Sequence, residues 1–346
     1  MVRNFALICI IVVCLSGCFG SDKIRTIESG EADSIETSTD MVAYLRGQDL
    51  PALESVEFWE NDYGPGLKLT TAHYEIFTTL FEPSMLRGLA RFVESAYRGY
   101  NGLLPNPIET ATKFTIYLFA DRKQWEDFTK RFAGPQASLF CKIKAGAYYH
   151  NGACVVYNIG SKRTFSVLGH EGWHQFNSRH FKFRLPSWLD EGVAMLFEAY
   201  GTKQGAFYFE PGENAYRLNT LKKTLIRDKM IPLKGLIAIN PGEVLAADEA
   251  DAVMAFYSQS YALVRFLQEA GSGKRLSSYS LLLSDGLRGD WPLDEVSKRI
   301  AIDRNMPRTV LWNRVVGLLL FEHYIGDDFD QIEREYLAFC RQIVAD

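Results

Sequence analysis

The stretch "SVLGHEGWHQFNSRHF", residues 166–181, constrains this chain more than any other. Its apolar residues recur at helical spacing, which predicts a helix. Yet Gly169 and Gly172 sit inside it, each costing about 1 kcal/mol of helix propensity relative to alanine. At about 100° per residue, His170 and His174 fall within about 40° of each other. Phe165, Leu168, Gly172, Trp173 and Phe176 cluster on the opposite side, with Gly169 among them. The glycines therefore belong to the packed face, where a small residue lets another backbone come close. Histidines that merely filled a core would lie on that side, and these do not.

The pattern is H-E-x-x-H, His170 to His174. On a helix it sets two imidazoles one turn apart on one face, where they can share a metal ion, with Glu171 beside it as a general base. A catalytic zinc ion generally takes three protein ligands and keeps one position open. Two residues compete for the third place. "LPSWLDEGVAMLFEAYG", residues 185–201, is expected to form a helix from Pro186 to Gly201 and to present Glu191 opposite Leu189, Val193 and Leu196. His180 is the other candidate, at the spacing H-E-x-x-H-x-x-G-x-x-H, with Asn177 in the glycine position. Asp190 and Glu198 are expected mainly as surface charges, with a role behind the ligands as the alternative. "YSQSYALVRFLQEAG" opens at Tyr257, with Tyr261 one turn later. A tyrosine there can bury its ring and still offer its hydroxyl.

The rest of the chain supplies a frame. "LKLTTAHYEIFTTL" alternates like strand, "PSMLRGLARFVESAYRGYNGLL" has helical spacing, "TKFTIYLFA" is a strand, and "DRKQWEDFTKRFA" is a helix with Asp121 as N-cap. "YYHNGACVV" holds Asn151-Gly152, a two-residue hairpin turn that sets His150 opposite Ala153 and Tyr149 opposite Cys154. Cys141 would then lie too far along to bridge Cys154, so Cys141, Cys154 and Cys340 are expected as free thiols. Strands come early and helices dominate late, which predicts an α+β fold: a sheet-rich lobe over 51–160 and a helical lobe over 161–346. The net charge of −4, the pI of about 5.9 and the absence of a basic patch argue against a nucleic-acid partner.

The first residues, "MVRNFALICIIVVCLSGCFG", carry a basic start and an apolar run too short to span a bilayer. The run ends in "LSGC", which resembles the lipobox of bacterial lipoproteins. That resemblance implies a signal peptide over 1–17, lipid attachment at Cys18 and a location in the bacterial cell envelope. Phe19 rather than Asp after the cysteine favours the outer membrane. Residues 18–50 are expected to be a flexible tether between lipid and domain.

"HEGWHQF…WLDEGVAMLFE" resembles the gluzincin metallopeptidases, whose relatives include thermolysin and the aminopeptidase-N group. It is closer still to uncharacterised bacterial HExxH proteins of that superfamily. The resemblance implies a zincin-like fold with Zn2+ held by His170, His174 and Glu191, although the interval from His174 to Glu191 is shorter than in the aminopeptidases. It implies Glu171 as the base and Tyr257 as the group that stabilises the oxyanion, with Tyr261 as the alternative. The G-x-M-E-N motif with which aminopeptidases grip a free amino terminus is missing; "GAYYHNGACVVYN" stands in its place. The expectation is a membrane-anchored zinc endopeptidase, with a peptide or protein substrate paired along an edge strand. The alternative is a catalytically silent, zincin-like binding lipoprotein.

Overall fold

The computed structural model describes residues 37–143, 146–240, 250–304 and 312–345. The leader, Cys18 and most of the expected tether lie outside them. The last part of that tether is not loose chain but a helix, α1 (Ser38–Arg46). Thr37 and Asp40 form a reciprocal capping box at its start, and Met41, Val42 and Leu45 bury one face. Three apolar residues in a polar stretch were enough to dock it.

The described chain is α+β, with a six-stranded mixed sheet first and mostly helix after it. The strands are β1 (Ser55–Phe58), β2 (Leu67–Thr70), β3 (Tyr74–Thr78), β4 (Phe114–Phe119), β5 (Ala147–His150) and β6 (Ala153–Tyr157), in the order β1-β2-β3-β4-β6-β5. β3, β4 and β6 run parallel, and the other pairings are antiparallel. Parallel neighbours need a crossover. Between β3 and β4 it is α2 (Pro83–Asn101); after β4 come α3 (Arg122–Phe132) and the short α4 (Ala137–Phe140). Alternation along β4 and β6 feeds two cores. Ile116, Leu118, Cys154 and Val156 join α2 on one face, while Phe119, Val155 and Tyr157 join Trp125 and Phe140 on the other.

The predicted details of this half hold where they are local. Asp121 caps α3 by accepting from the Gln124 N–H. Asn151 and Gly152 both take positive φ, 47° and 80°, as a tight hairpin turn demands. Tyr149 faces Cys154 and His150 faces Ala153. Cys141, Cys154 and Cys340 are free.

The chain then enters α5 (Ser161–His180), which carries the H-E-x-x-H pattern and packs against α2, β5 and β6. Gln175 ties α5 to the sheet: its amide donates to the carbonyls of Thr115 and Gly152, each at 2.8 Å. Next come α6 (Ser187–Ala194), a 3-10 turn (Met195–Phe197), and a small hairpin of β7 (Tyr200–Lys203) and β8 (Ala206–Phe209). The helix expected to run to Gly201 thus stops at Ala194. Gly201 lies instead in β7, opposite Tyr208, where a Cβ would stand 2.5 Å from the tyrosine ring. The helical lobe is completed by α7 (Ala215–Ile226), α8 (Leu233–Ala238), α9 (Ala250–Gly273), α10 (Leu276–Arg288), α11 (Glu295–Ile302), α12 (Leu318–Tyr324) and α13 (Phe329–Ile343). Among the described residues no helix is long and apolar enough to cross a membrane.

Candidate metal centre

The two glycines of α5 are sites of close approach. A Cβ on Gly169 would stand 2.3 Å from the Phe197 carbonyl oxygen, and one on Gly172 would stand 2.3 Å from the Tyr100 hydroxyl. That hydroxyl donates to the Gly169 carbonyl at 2.7 Å. One face of α5 is thereby pinned to α2 and to the turn that follows α6. Its opposite face, with His170, Glu171 and His174, is buried too, but against carboxylates rather than apolar chain.

α6 brings Glu191 to this face. α6 itself lies hard against α9, where a Cβ on Gly192 would meet the Ser260 carbonyl oxygen at 2.6 Å. His170 Nε2 stands 3.4 Å from Glu191 Oε2, and His174 Nε2 stands 3.7 Å from the same oxygen. Neither imidazole nitrogen and neither Glu191 oxygen makes a hydrogen bond. Buried polar atoms are seldom left so, because each forfeits its hydration. A common cation accounts for them. Ligand bonds of about 2.0–2.1 Å in a tetrahedron put ligand atoms about 3.3 Å apart, close to the separations seen. His170, His174 and Glu191 form a buried group that can hold a metal ion.

The far side of each imidazole is fixed. His170 Nδ1 meets Glu198 Oε1 at 2.9 Å, and His174 Nδ1 meets Asp190 Oδ1 at 3.0 Å. A carboxylate on Nδ1 takes its proton as a hydrogen bond and leaves the Nε2 lone pair for the ion. Asp190 also accepts from the Asn177 amide at 2.7 Å. Glu198 is gripped by Arg217 and Asn214. Both carboxylates were expected mainly as surface charge. Asp190 is buried and Glu198 nearly so, its side chain 9% exposed, because α6 and the 3-10 turn fold back over α5. Adjacency of Asp190 to Glu191 was the only available hint, and no sequence pattern marks Arg217.

Without an ion, protons balance these charges. Burial alone would depress His174, but Asp190 and Glu191 outweigh it and hold its pKa well above the ordinary imidazole value. Burial would raise Glu191, and His174 and His170 hold it well below the carboxylate range. Burial likewise works on Glu198, yet Arg217 brings it to about 2. Glu171 differs. Burial dominates, the imidazoles offset only part of it, and its pKa stands at about 7. Both its oxygens are buried without a hydrogen-bond partner.

His180 is excluded as the third ligand. Its Nε2 bonds Thr110 Oγ1 at 2.9 Å, and its ring packs on Phe176 and Phe114. It closes the last turn of α5 on the sheet side. Tyr257, on α9, is buried, with its ring 5.6 Å from the Arg217 guanidinium that grips Glu198. Tyr261 is committed elsewhere: its hydroxyl donates to the Pro211 carbonyl and accepts from Arg265 at 3.0 Å. His73 pairs with Glu94 at 2.7 Å and stacks on Tyr97, well within the sheet lobe. Comparison with known proteins adds nothing to this geometry: no family model matches the chain, and no curated protein matches it.

Proposed function

We propose that this chain is a zincin-like, zinc-dependent endopeptidase of the bacterial cell envelope, anchored to a membrane through an acylated Cys18. The observation that carries the catalytic part is Glu171. It is a fully buried carboxylate with both oxygens unpartnered, beside three convergent ligands, and with a pKa of about 7. A merely structural metal site is normally closed by four ligands, often cysteines, and has no use for such a base. Two imidazoles and one carboxylate suit zinc, and the adjacent base favours hydrolysis over the oxygen chemistry that the same ligand types support on iron.

Zinc, when bound, would supply a Lewis acid that polarises the scissile carbonyl and acidifies a water molecule toward neutrality. Glu171 takes the proton of the attacking water and returns it to the departing amine. Glu198 and Asp190 keep the imidazoles aimed throughout. Tyr257 donates its phenol proton as a hydrogen bond to the oxyanion. Substrate docks along β5, an edge strand packed against α5. Its outer edge can align an extended peptide beside Glu171.

The test is metal analysis of the purified protein, followed by casein digestion with and without chelator. Stoichiometric zinc and cleavage that chelator abolishes and zinc restores are expected. Zinc without chelator-sensitive cleavage of any peptide or protein would leave a binding lipoprotein instead.

A further inference from the structure

Arg217 takes no part in the chemistry just described, and it lies 26 positions after the nearest ligand in the chain, Glu191. It is nevertheless 4% exposed. Its Nε donates to Glu198 Oε2 at 2.8 Å and a terminal nitrogen donates to Glu198 Oε1 at 2.6 Å, a two-pronged grip on one carboxylate. Oε1 is the atom that His170 Nδ1 meets. Asn214 donates its amide to Oε2 at 2.9 Å and caps α7 by accepting from the Arg217 N–H. The guanidinium is itself fixed, 5.1 Å from the Tyr216 ring and 5.6 Å from the Tyr257 ring. His174 is oriented by different means. Its partner Asp190 adjoins Glu191 on the same helix and accepts from the Asn177 amide. One imidazole is thus aimed from within α6, and the other by a cation delivered from α7.

We propose that Arg217 is a positioning residue of the metal centre, which sets metal affinity by clamping Glu198 against the Nδ1–H of His170. The proposal rests on the zinc reading above. Without the clamp, Glu198, only 9% exposed at its side chain, would lose its cationic partner and turn away, and His170 would lose its fixed tautomer and direction. Lysine supplies one point charge where arginine supplies a planar fork, so it restores charge without full geometry.

The experiment measures Zn2+ affinity by competition with a chromogenic chelator, alongside circular dichroism and melting of each zinc-free protein. The set is wild type, Arg217→Lys, Arg217→Met, Glu198→Gln and the Glu198→Gln/Arg217→Met pair. Arg217→Met should weaken Zn2+ binding by about 10–100-fold, and Arg217→Lys should fall between it and wild type. In the Glu198→Gln background, Arg217→Met should add less than about twofold, because the lever it acts through is gone. Should Arg217→Met fail to fold, Arg217→Lys and the Glu198→Gln pair carry the comparison, since the pair leaves no buried charge unmatched. Wild-type affinity in folded Arg217→Met, an undiminished effect of Arg217 in the Glu198→Gln background, or Arg217→Lys as weak as Arg217→Met would overturn the proposal. A wild-type chain that takes up no Zn2+ would overturn both this and the peptidase reading. Tight Zn2+ binding that responds as expected, with no cleavage, would overturn the peptidase reading alone.

Discussion

Glu171 and the residues around it divide by what each can lose. Glu171→Gln keeps the shape and the neighbours but cannot accept a proton. It is expected to retain stoichiometric zinc and to lose about 10²–10⁴-fold in turnover; turnover within threefold of wild type would remove Glu171 from the chemistry. Asp190→Asn should instead show in the metal, with Zn2+ affinity about 10–100-fold weaker, as read by chelator competition. His180 offers a separate titration. Burial, and then Arg179, push its pKa to about 4. The folded chain therefore keeps it neutral, and the unfolded chain protonates it from about 6.5 downward. Its contribution is fully present above about pH 6.5 and is lost as pH falls toward 4. His180→Gln should flatten that part of the stability–pH curve in chemical denaturation; an unchanged slope would show that His180 titrates alike in both states. At this scale the imidazole pair was legible because His170 and His174 follow a spacing that helix geometry makes meaningful, whereas Glu191 rested on the resemblance and competed with His180. Asp190 and Glu198 were not, since a carboxylate on a short helix looks the same whether it faces solvent or an imidazole.

For the elements, legibility tracked locality. The α3 cap at Asp121 and the hairpin turn at Asn151-Gly152 depend on backbone a few residues away, and both stand as expected. The end of α6 does not, because Gly201 is required by the Tyr208 ring of the partner strand. The glycines of α5 illustrate competing magnitudes. Gly172→Ala gains about 1 kcal/mol of helix propensity. It also drives a methyl group into the Tyr100 hydroxyl, at 2.3 Å, and threatens that hydroxyl's bond to Gly169. Overpacking of this kind costs about 1–3 kcal/mol, so the variant should be less stable in urea unfolding. A more stable variant would mean that α5 can slide off α2 freely.

Across the whole molecule, the centre sits where the sheet lobe ends and the helical lobe begins, with α5 from one side and α6 from the other. Glu171, Asp190 and Glu191 are buried there and Glu198 is nearly so, with the buried Arg217 bonded to Glu198. A divalent cation held there would offset part of that negative charge and tie α5 to α6. Zinc at about 100 times its dissociation constant should add about 2.7 kcal/mol to stability. Chelator should accordingly lower the melting temperature of wild type and leave that of His174→Ala unmoved. Equal shifts in both would place the stabilising ion elsewhere.

The sequence by itself determined an α+β chain with one helix carrying paired imidazoles and a neighbouring glutamate, because helical periodicity, capping and turn chemistry act over a few residues. Only the tertiary structure decided between Glu191 and His180, set Asp190 and Glu198 behind the imidazoles, and brought Arg217 to the far side of His170. Those outcomes depend on where α6 and α7 come to rest against α5, and packing between distant segments leaves no spacing in the sequence to read.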